Sequence, residues 1–216
     1  MKRILLTLST IALVAFAAQA NAAGMYAGIK LGANFANVGG DDALDDTSMR
    51  TGFQGGLFIG KHVNDQFGFR VEGLYVQKGA KADIDYGPGI GVLETVEKLD
   101  YIEFPILFVY DLMNSESMGF NLFAGPTLGF NINAQAEPDG GDSADIDNVK
   151  SFEFGAAIGA GLEKKMAGGK GIGLDVRYTI GATSVFEDVA GESVDVKNRG
   201  IGVMAFYSIP LGGSAQ

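Results

Sequence analysis

The sequence predicts an all-β protein, an eight-stranded antiparallel up-and-down transmembrane β-barrel. Three observations carry the prediction. An alternation of period two recurs eight times along the 216 residues. The alternating runs are about 11 to 16 residues long, against about five or six for strands of ordinary globular sheets, and a tilted membrane-crossing strand needs about 9 to 11. The connections between the runs alternate between long and short, as they do when short turns face the periplasm and long loops face outward.

In the first run, Met25, Ala27, Ile29, Leu31, Ala33 and Phe35 alternate with Tyr26, Gly28, Lys30, Gly32 and Asn34. Successive strand side chains point to opposite faces, so one face is apolar and the other small or polar. The second run sets Phe53, Leu57, Ile59 and Val63 against Gly52, Gln54, Gly56, Phe58 and Gly60. The third sets Phe67, Phe69, Val71 and Tyr75 against Gly68, Arg70 and Glu72. The fourth has Ile102, Phe104, Ile106, Phe108 and Tyr110 opposite Tyr101, Glu103 and Pro105. The fifth follows Phe120 to Ile132, the sixth Phe152 to Leu162 with Glu153 and Glu163 opposite, and the seventh Ile172 to Ile180 with Asp175 and Arg177 opposite. The eighth follows Ile201 to Ile209. Long connections are expected at 39–50, 79–94, 137–149 and 186–196, short ones at 64–66 and 167–170, and one of moderate length at 112–118.

Eight runs with one apolar face leave two closed arrangements. A soluble, lipocalin-like periplasmic barrel would turn the apolar face inward. A membrane barrel turns it toward lipid, and closure pairs every backbone N–H and C=O without leaving an edge. Strand length and loop alternation favour lipid outside. The inner face then carries a charge network of Lys30, Arg70, Glu72, Glu103, Glu153, Asp175 and Arg177, with Glu163 as a further acid. Unpaired charges there would be costly, so ion pairs are expected. An eight-stranded lumen is just filled by side chains, which argues against a wide pore. Tyr26, Tyr75, Tyr110, Tyr178 and Tyr207 fall near strand ends, as an interfacial aromatic girdle requires.

The first 22 residues read as a signal peptide. Lys2 and Arg3 precede an apolar stretch at 4–17, and Ala18-Gln19-Ala20 and Ala20-Asn21-Ala22 both fit a small-x-small cleavage site. Residues 23–216 form the barrel domain. The formal charge of −10 argues against nucleic acid as a partner. With no cysteine and a single histidine, His62, no thiol nucleophile, disulfide or multi-histidine metal site can form.

The motifs that could carry chemistry are weak. Residues 55–61 read G-x-x-x-x-G-K, but His62 stands where Ser or Thr should follow, and the segment alternates as a strand. Gly87, Gly89 and Gly91 lack the strand-to-helix setting of a dinucleotide site. His62 sits beside a short turn, as an interfacial residue does, rather than at the end facing external substrates. The expected outer loops are acidic: Asp41, Asp42, Asp45 and Asp46 in the first, Glu137, Asp139, Asp142, Asp145 and Asp147 in the third, Glu187, Asp188, Glu192 and Asp195 in the fourth. Only Arg50 and Lys81 are expected to offset them. A solvated rim is the simpler reading. Weak divalent-cation bridging to lipopolysaccharide phosphates is the alternative, and no loop has the spacing of a dedicated calcium loop. No catalytic residue, cofactor or metal site is expected.

Several blocks in order resemble the PorT-like outer-membrane β-barrel family: 28–36 (GIKLGANFA), 52–58 (GFQGGLF), 72–81 (EGLYVQKGAK), 99–107 (LDYIEFPIL), 124–129 (AGPTLG) and 173–178 (GLDVRY). The resemblance covers nearly all of residues 23–216. It implies an integral outer-membrane barrel. One member of that family serves a type IX secretion system and most have no assigned activity, so secretion is not carried over. Many such barrels end on an aromatic residue that the outer-membrane assembly machinery reads. This chain ends Tyr207-Ser208-Ile209-Pro210-Leu211 and five further residues, so Phe206 and Tyr207 would serve instead. The function expected is structural or accessory to the envelope, without enzymatic activity, in a monomer surrounded by outer-membrane lipid and lipopolysaccharide. A narrow channel or a ligand-binding barrel is the alternative.

Overall fold

The computed structural model describes residues 24–44, 47–85, 87–88, 91–188 and 194–211. The expected signal peptide, Asp45, Asp46, Gly89, Glu192 and the last five residues lie outside these. Among the described residues, ten strands form one antiparallel sheet: β1 Met25–Gly39, β2 Thr47–His62, β3 Phe67–Lys78, β4 Ala80–Asp85, β5 Val92–Asn114, β6 Met118–Pro138, β7 Ala144–Asp145, β8 Phe152–Lys165, β9 Gly171–Gly181 and β10 Lys197–Pro210. Eight of them close a ring in the order β1, β2, β3, β5, β6, β8, β9, β10. Pairing of β1 with β10, from Tyr26 opposite Pro210 to Gly39 opposite Lys197, seals it. Among the described residues no helix is long and apolar enough to cross a membrane.

The alternation read from the sequence sets the two faces. Leu31, Leu57, Ile158, Leu174 and Val203 point outward and remain exposed, whereas Lys30, Phe58, Glu72, Asp175 and Met204 point inward and are buried. This is the reverse of a lipocalin-like barrel, whose apolar residues would fill the inside. Where wall strands approach closely, glycine is required. A Cβ on Gly32 would lie 1.9 Å from the Val203 carbonyl oxygen.

Four expected connections are shorter or more ordered than the sequence suggested. β2 starts at Thr47, so Arg50 is a strand residue and is buried, donating to the Lys78 carbonyl oxygen. The stretch 79–94 contains β4 and the start of β5, which pair from Lys81 opposite Val96 to Asp85 opposite Val92. β4 continues β3 past Gly79, whose φ of 109° lies in the region that favours glycine. β5 reaches Asn114, which leaves a tight turn where a connection of moderate length was expected. β6 reaches Pro138 and is flanked by the two-residue β7. Alternation fails to announce these segments because they rise past the lipid into water, where neither face has to be apolar.

Tyr26 corrects the girdle reading. It shares the inward face of β1 with Lys30, and its ring lies 6.2 Å from Phe58 and 4.9 Å from His62. The other tyrosines named for the girdle point outward. Tyr110 stacks with Phe67 at 5.1 Å, and Tyr75 with Phe53 at 6.4 Å.

Candidate functional site

The inside of the barrel holds the residues that could act, and they lie in levels along its axis. Strands β1, β3 and β9 run outward from the short turns, so low positions on them are periplasmic and high positions face the outside.

The inner level is built from those three strands. Lys30 Nζ lies 2.7 Å from Glu72 Oε1 and 2.6 Å from Asp175 Oδ2. Arg70 reaches the same two carboxylates at 2.8 and 3.0 Å. Arg177 reaches Glu72 Oε2 at 2.6 Å. All five side chains are at most 5% exposed. Both guanidinium groups also lie over the Phe123 ring, Arg70 at 4.6 Å and Arg177 at 5.5 Å, so the ring's negative faces meet cations.

The outer level has a member the sequence reading missed. Among the inward charges read from the sequence, the cations open to Glu103 and Glu153 are Lys30, Arg70 and Arg177. The two glutamates pair instead with Lys78, at 2.6 and 2.7 Å. Asn198 donates to Glu153, and Lys78 lies 4.9 Å from the centre of the Tyr101 ring. Lys78 carried a usable signal, since it has the parity of Arg70 and Glu72 on β3. The intervening inward residues, Leu74 and Val76, obscured it. Three cations face two carboxylates below and one cation faces two carboxylates above, so the two levels together balance. Apolar fillers pack beside these charges, Leu74, Val76 and Met204 in one cluster and Leu107, Val109, Phe123 and Ala157 in another, the second reaching the inner level, where Leu107 is opposite Arg70.

Above the outer level the barrel is capped by apolar side chains. Val38, Ala80 and Val196 pack together with Phe186 and Val194, and Leu99, Tyr101 and Val185 pack with Val149 and Phe186. The connections after β7 and β9 are tied across the mouth by Lys150 N–H to Val185 O and Val185 N–H to Val196 O, both 2.7 Å. Apolar residues point inward here because the wall stands in water and not in lipid. Higher on β5, beyond the lipid-facing row that begins at Ile102, burial raises the Glu97 carboxyl to about 7, against the opposing pull of Arg50.

The outer rim carries more cations than expected. Besides the Lys81–Glu94 pair at 2.9 Å, Lys98 pairs with Glu137 and Lys197 with Asp195, and Lys150 lies 3.9 Å from Asp188. Among the described residues no group of three or more acidic or histidine side chains is placed to hold a metal ion.

At the periplasmic end, His62 Nδ1 stands 3.3 Å from Asp111 Oδ2. Glu163 is not part of either ion-pair level; it accepts from Ser208 Oγ at 2.7 Å. Residues 55–61, the near phosphate-loop motif, lie wholly within β2.

A closed ring with an apolar outer face and a charged, filled interior defines an outer-membrane β-barrel protein. Residues 17–187 match the model of the outer membrane protein beta-barrel domain, and the chain belongs to that family. No curated protein matches it. Among solved structures, neisserial surface protein A (NspA) is similar at 17% identity with a TM-score of 0.51, over 87% of this chain and 97% of that one, and shares the fold. OprG from Pseudomonas aeruginosa matches at 15% identity and a TM-score of 0.49, over 86% and 96% of the two chains. Ail, the attachment invasion locus protein of Yersinia pestis, solved with the heparin analogue sucrose octasulfate, matches at 18% identity and a TM-score of 0.43, over 86% and 99%. The protein resides in the outer membrane.

Proposed function

We infer that the protein is a closed, non-conducting and non-enzymatic barrel with a structural or accessory role in the envelope, and that within its family it stands with the PorT-like barrels. The observation that carries this reading is the filled interior. Two ion-paired levels, apolar fillers and an apolar outer cap stand in series, and the space between Asn34, Lys78 and Asn198 has a volume of only about 10 Å³. A water-sized space of that kind admits about one solvent molecule and no hydrated ion. The barrel is then an anchor, inserted by the outer-membrane assembly machinery, that holds an acidic rim above the lipopolysaccharide as a monomer.

Conductance across a planar bilayer tests the reading. The purified barrel is expected to give no steady current above the bare membrane at neutral pH. A stable open state carrying potassium chloride would replace it with the narrow-channel alternative.

A further inference from the structure

Below the inner ion-pair level a cavity of about 460 Å³ opens toward the periplasm, bounded by Tyr26, Phe58, Phe206 and Glu163, with Arg70 at its floor. That volume falls in the range of small-molecule sites, about 300 to 1,000 Å³. We propose that this cavity is a binding site for an amphipathic monocarboxylate, which enters from the periplasm with its carboxylate leading.

The floor argues for an anion. Arg70 is 4% exposed and lines the cavity. Its Nε and Nη2 are buried against the Glu72 and Asp175 carboxylates, at 2.8 and 3.0 Å. Nη1 is not buried, and among the described residues no group accepts from it. The Tyr26 hydroxyl stands beside the Arg70 side chain. It lies 2.4 Å from the place a Cβ on Gly60 would take, and Gly60 is paired with Arg70 across the β2–β3 ladder. Among the described residues this hydroxyl makes no hydrogen bond. A guanidinium stays charged and can only donate, so the group it takes must accept. A carboxylate brings two oxygens to the two donors, and hydrogen bonds between ionised groups are the stronger ones.

The wall argues for an apolar body behind the carboxylate. Phe58 and Phe206 stand edge to face with ring centres 6.0 Å apart, and the Tyr26 ring lies 6.2 Å from Phe58. The three come from β2, β10 and β1, neighbours in the closed ring, and together they make one aromatic surface. That surface stabilises an apolar group and offers nothing to the hydration shell of a small inorganic anion. At the mouth, Glu116 and Glu163 are matched in number by Lys165 and Lys170, and Ser208 donates to Glu163 Oε1 at 2.7 Å, so the entrance carries no net charge against a monoanion. Two sources carry this chemistry, straight-chain acids released from lipid and aromatic acids.

The test uses the full barrel in micelles of a non-ionic detergent, titrated with octanoate and, separately, with hydrocinnamate, and followed by the amide resonances of Gly28 and Gly60. Saturable shifts at millimolar acid are expected. Replacing the acid by its carboxamide should weaken binding about tenfold, the difference between a charge-assisted and a neutral hydrogen bond. Tyr26→Phe keeps the ring and removes the hydroxyl, and should weaken binding about fivefold, the effect of one hydrogen bond. The carboxamide needs no variant, so a misfolded Tyr26→Phe barrel would not obscure the result. Saturation by octanoate alone supports the proposal with lipid as source, and saturation by hydrocinnamate alone supports it with aromatic acids as source. Saturation by both supports a site that reads the carboxylate on any compact apolar body. An absence of saturable shifts with either acid, or equal affinity for acid and carboxamide, overturns the proposal, as does equal affinity of a folded Tyr26→Phe barrel and the parent. No arm measures conductance, so this proposal and the closed-barrel reading fail separately.

Discussion

Glu72→Leu is expected to destabilise the barrel by about 3 to 5 kcal/mol, the usual cost of removing one partner from a buried charge cluster. Glu72 is the carboxylate that Lys30, Arg70 and Arg177 share. Its loss leaves three buried cations facing Asp175 alone. Leucine roughly keeps the volume, so the effect reports charge and not a cavity. The measurement is the urea midpoint of the barrel refolded in detergent or lipid. Adding Lys30→Met returns the level to one excess cation, so the double variant should lose less than the two single variants summed. A Glu72→Leu barrel within about 0.5 kcal/mol of the parent, the range of ordinary surface changes, would show that the ion-pair level does not hold the lumen together.

Val176→Lys should have a comparable effect for the opposite reason. Val176 points outward, 49% exposed, midway along the apolar row of β9 from Ile172 to Ile180. Its neighbours across the ladders are Val203 and Ala160. A lysine at the mid-depth of the bilayer costs about 2 to 4 kcal/mol, whereas the same change on a water-exposed wall is close to neutral. Refolding into lipid vesicles with a urea titration reads the difference, and Asp139→Lys in the outer rim serves as the neutral control. Equal stability for Val176→Lys and the parent would mean that this face does not meet lipid.

Much of the fold was legible because lipid on one side and a packed lumen on the other impose a strict alternation. β1, β9 and β10 show it, and there the expected runs and the strands nearly coincide. Legibility ends where that constraint ends. In 79–94, Gly79, Gly87 and Gly91 read as loop punctuation, yet β4 and the outer part of β5 pair through this stretch, since hydrogen bonding needs no apolar face. The outer cap was invisible for a related reason. Val185, Phe186 and Val196 are isolated apolar residues within acidic connections, and only the closed ring brings them over the mouth.

The lumen shows the same division. Period two named the inward charges, because parity follows from the chain alone. It could not say which acid meets which base, because partners lie on strands as much as 145 residues apart, as Lys30 and Asp175 do. The cation that Glu103 and Glu153 share, Lys78, is missing from the network read from the sequence because Leu74 and Val76 are apolar at inward positions. The periplasmic cavity between Tyr26, Phe58, Asn121, Glu163 and Phe206 could not be read from the sequence at all, because these residues come from five different strands and only the closed ring brings them together.

The central claim is a closed barrel whose apolar face meets lipid, and gel mobility of the native outer-membrane fraction in SDS tests it most directly. A closed ring paired from β1 to β10 should resist SDS until heated, so the unboiled protein should migrate at a different position from the boiled one. One position for both samples, with the protein recovered in the soluble periplasmic fraction, would contradict the account.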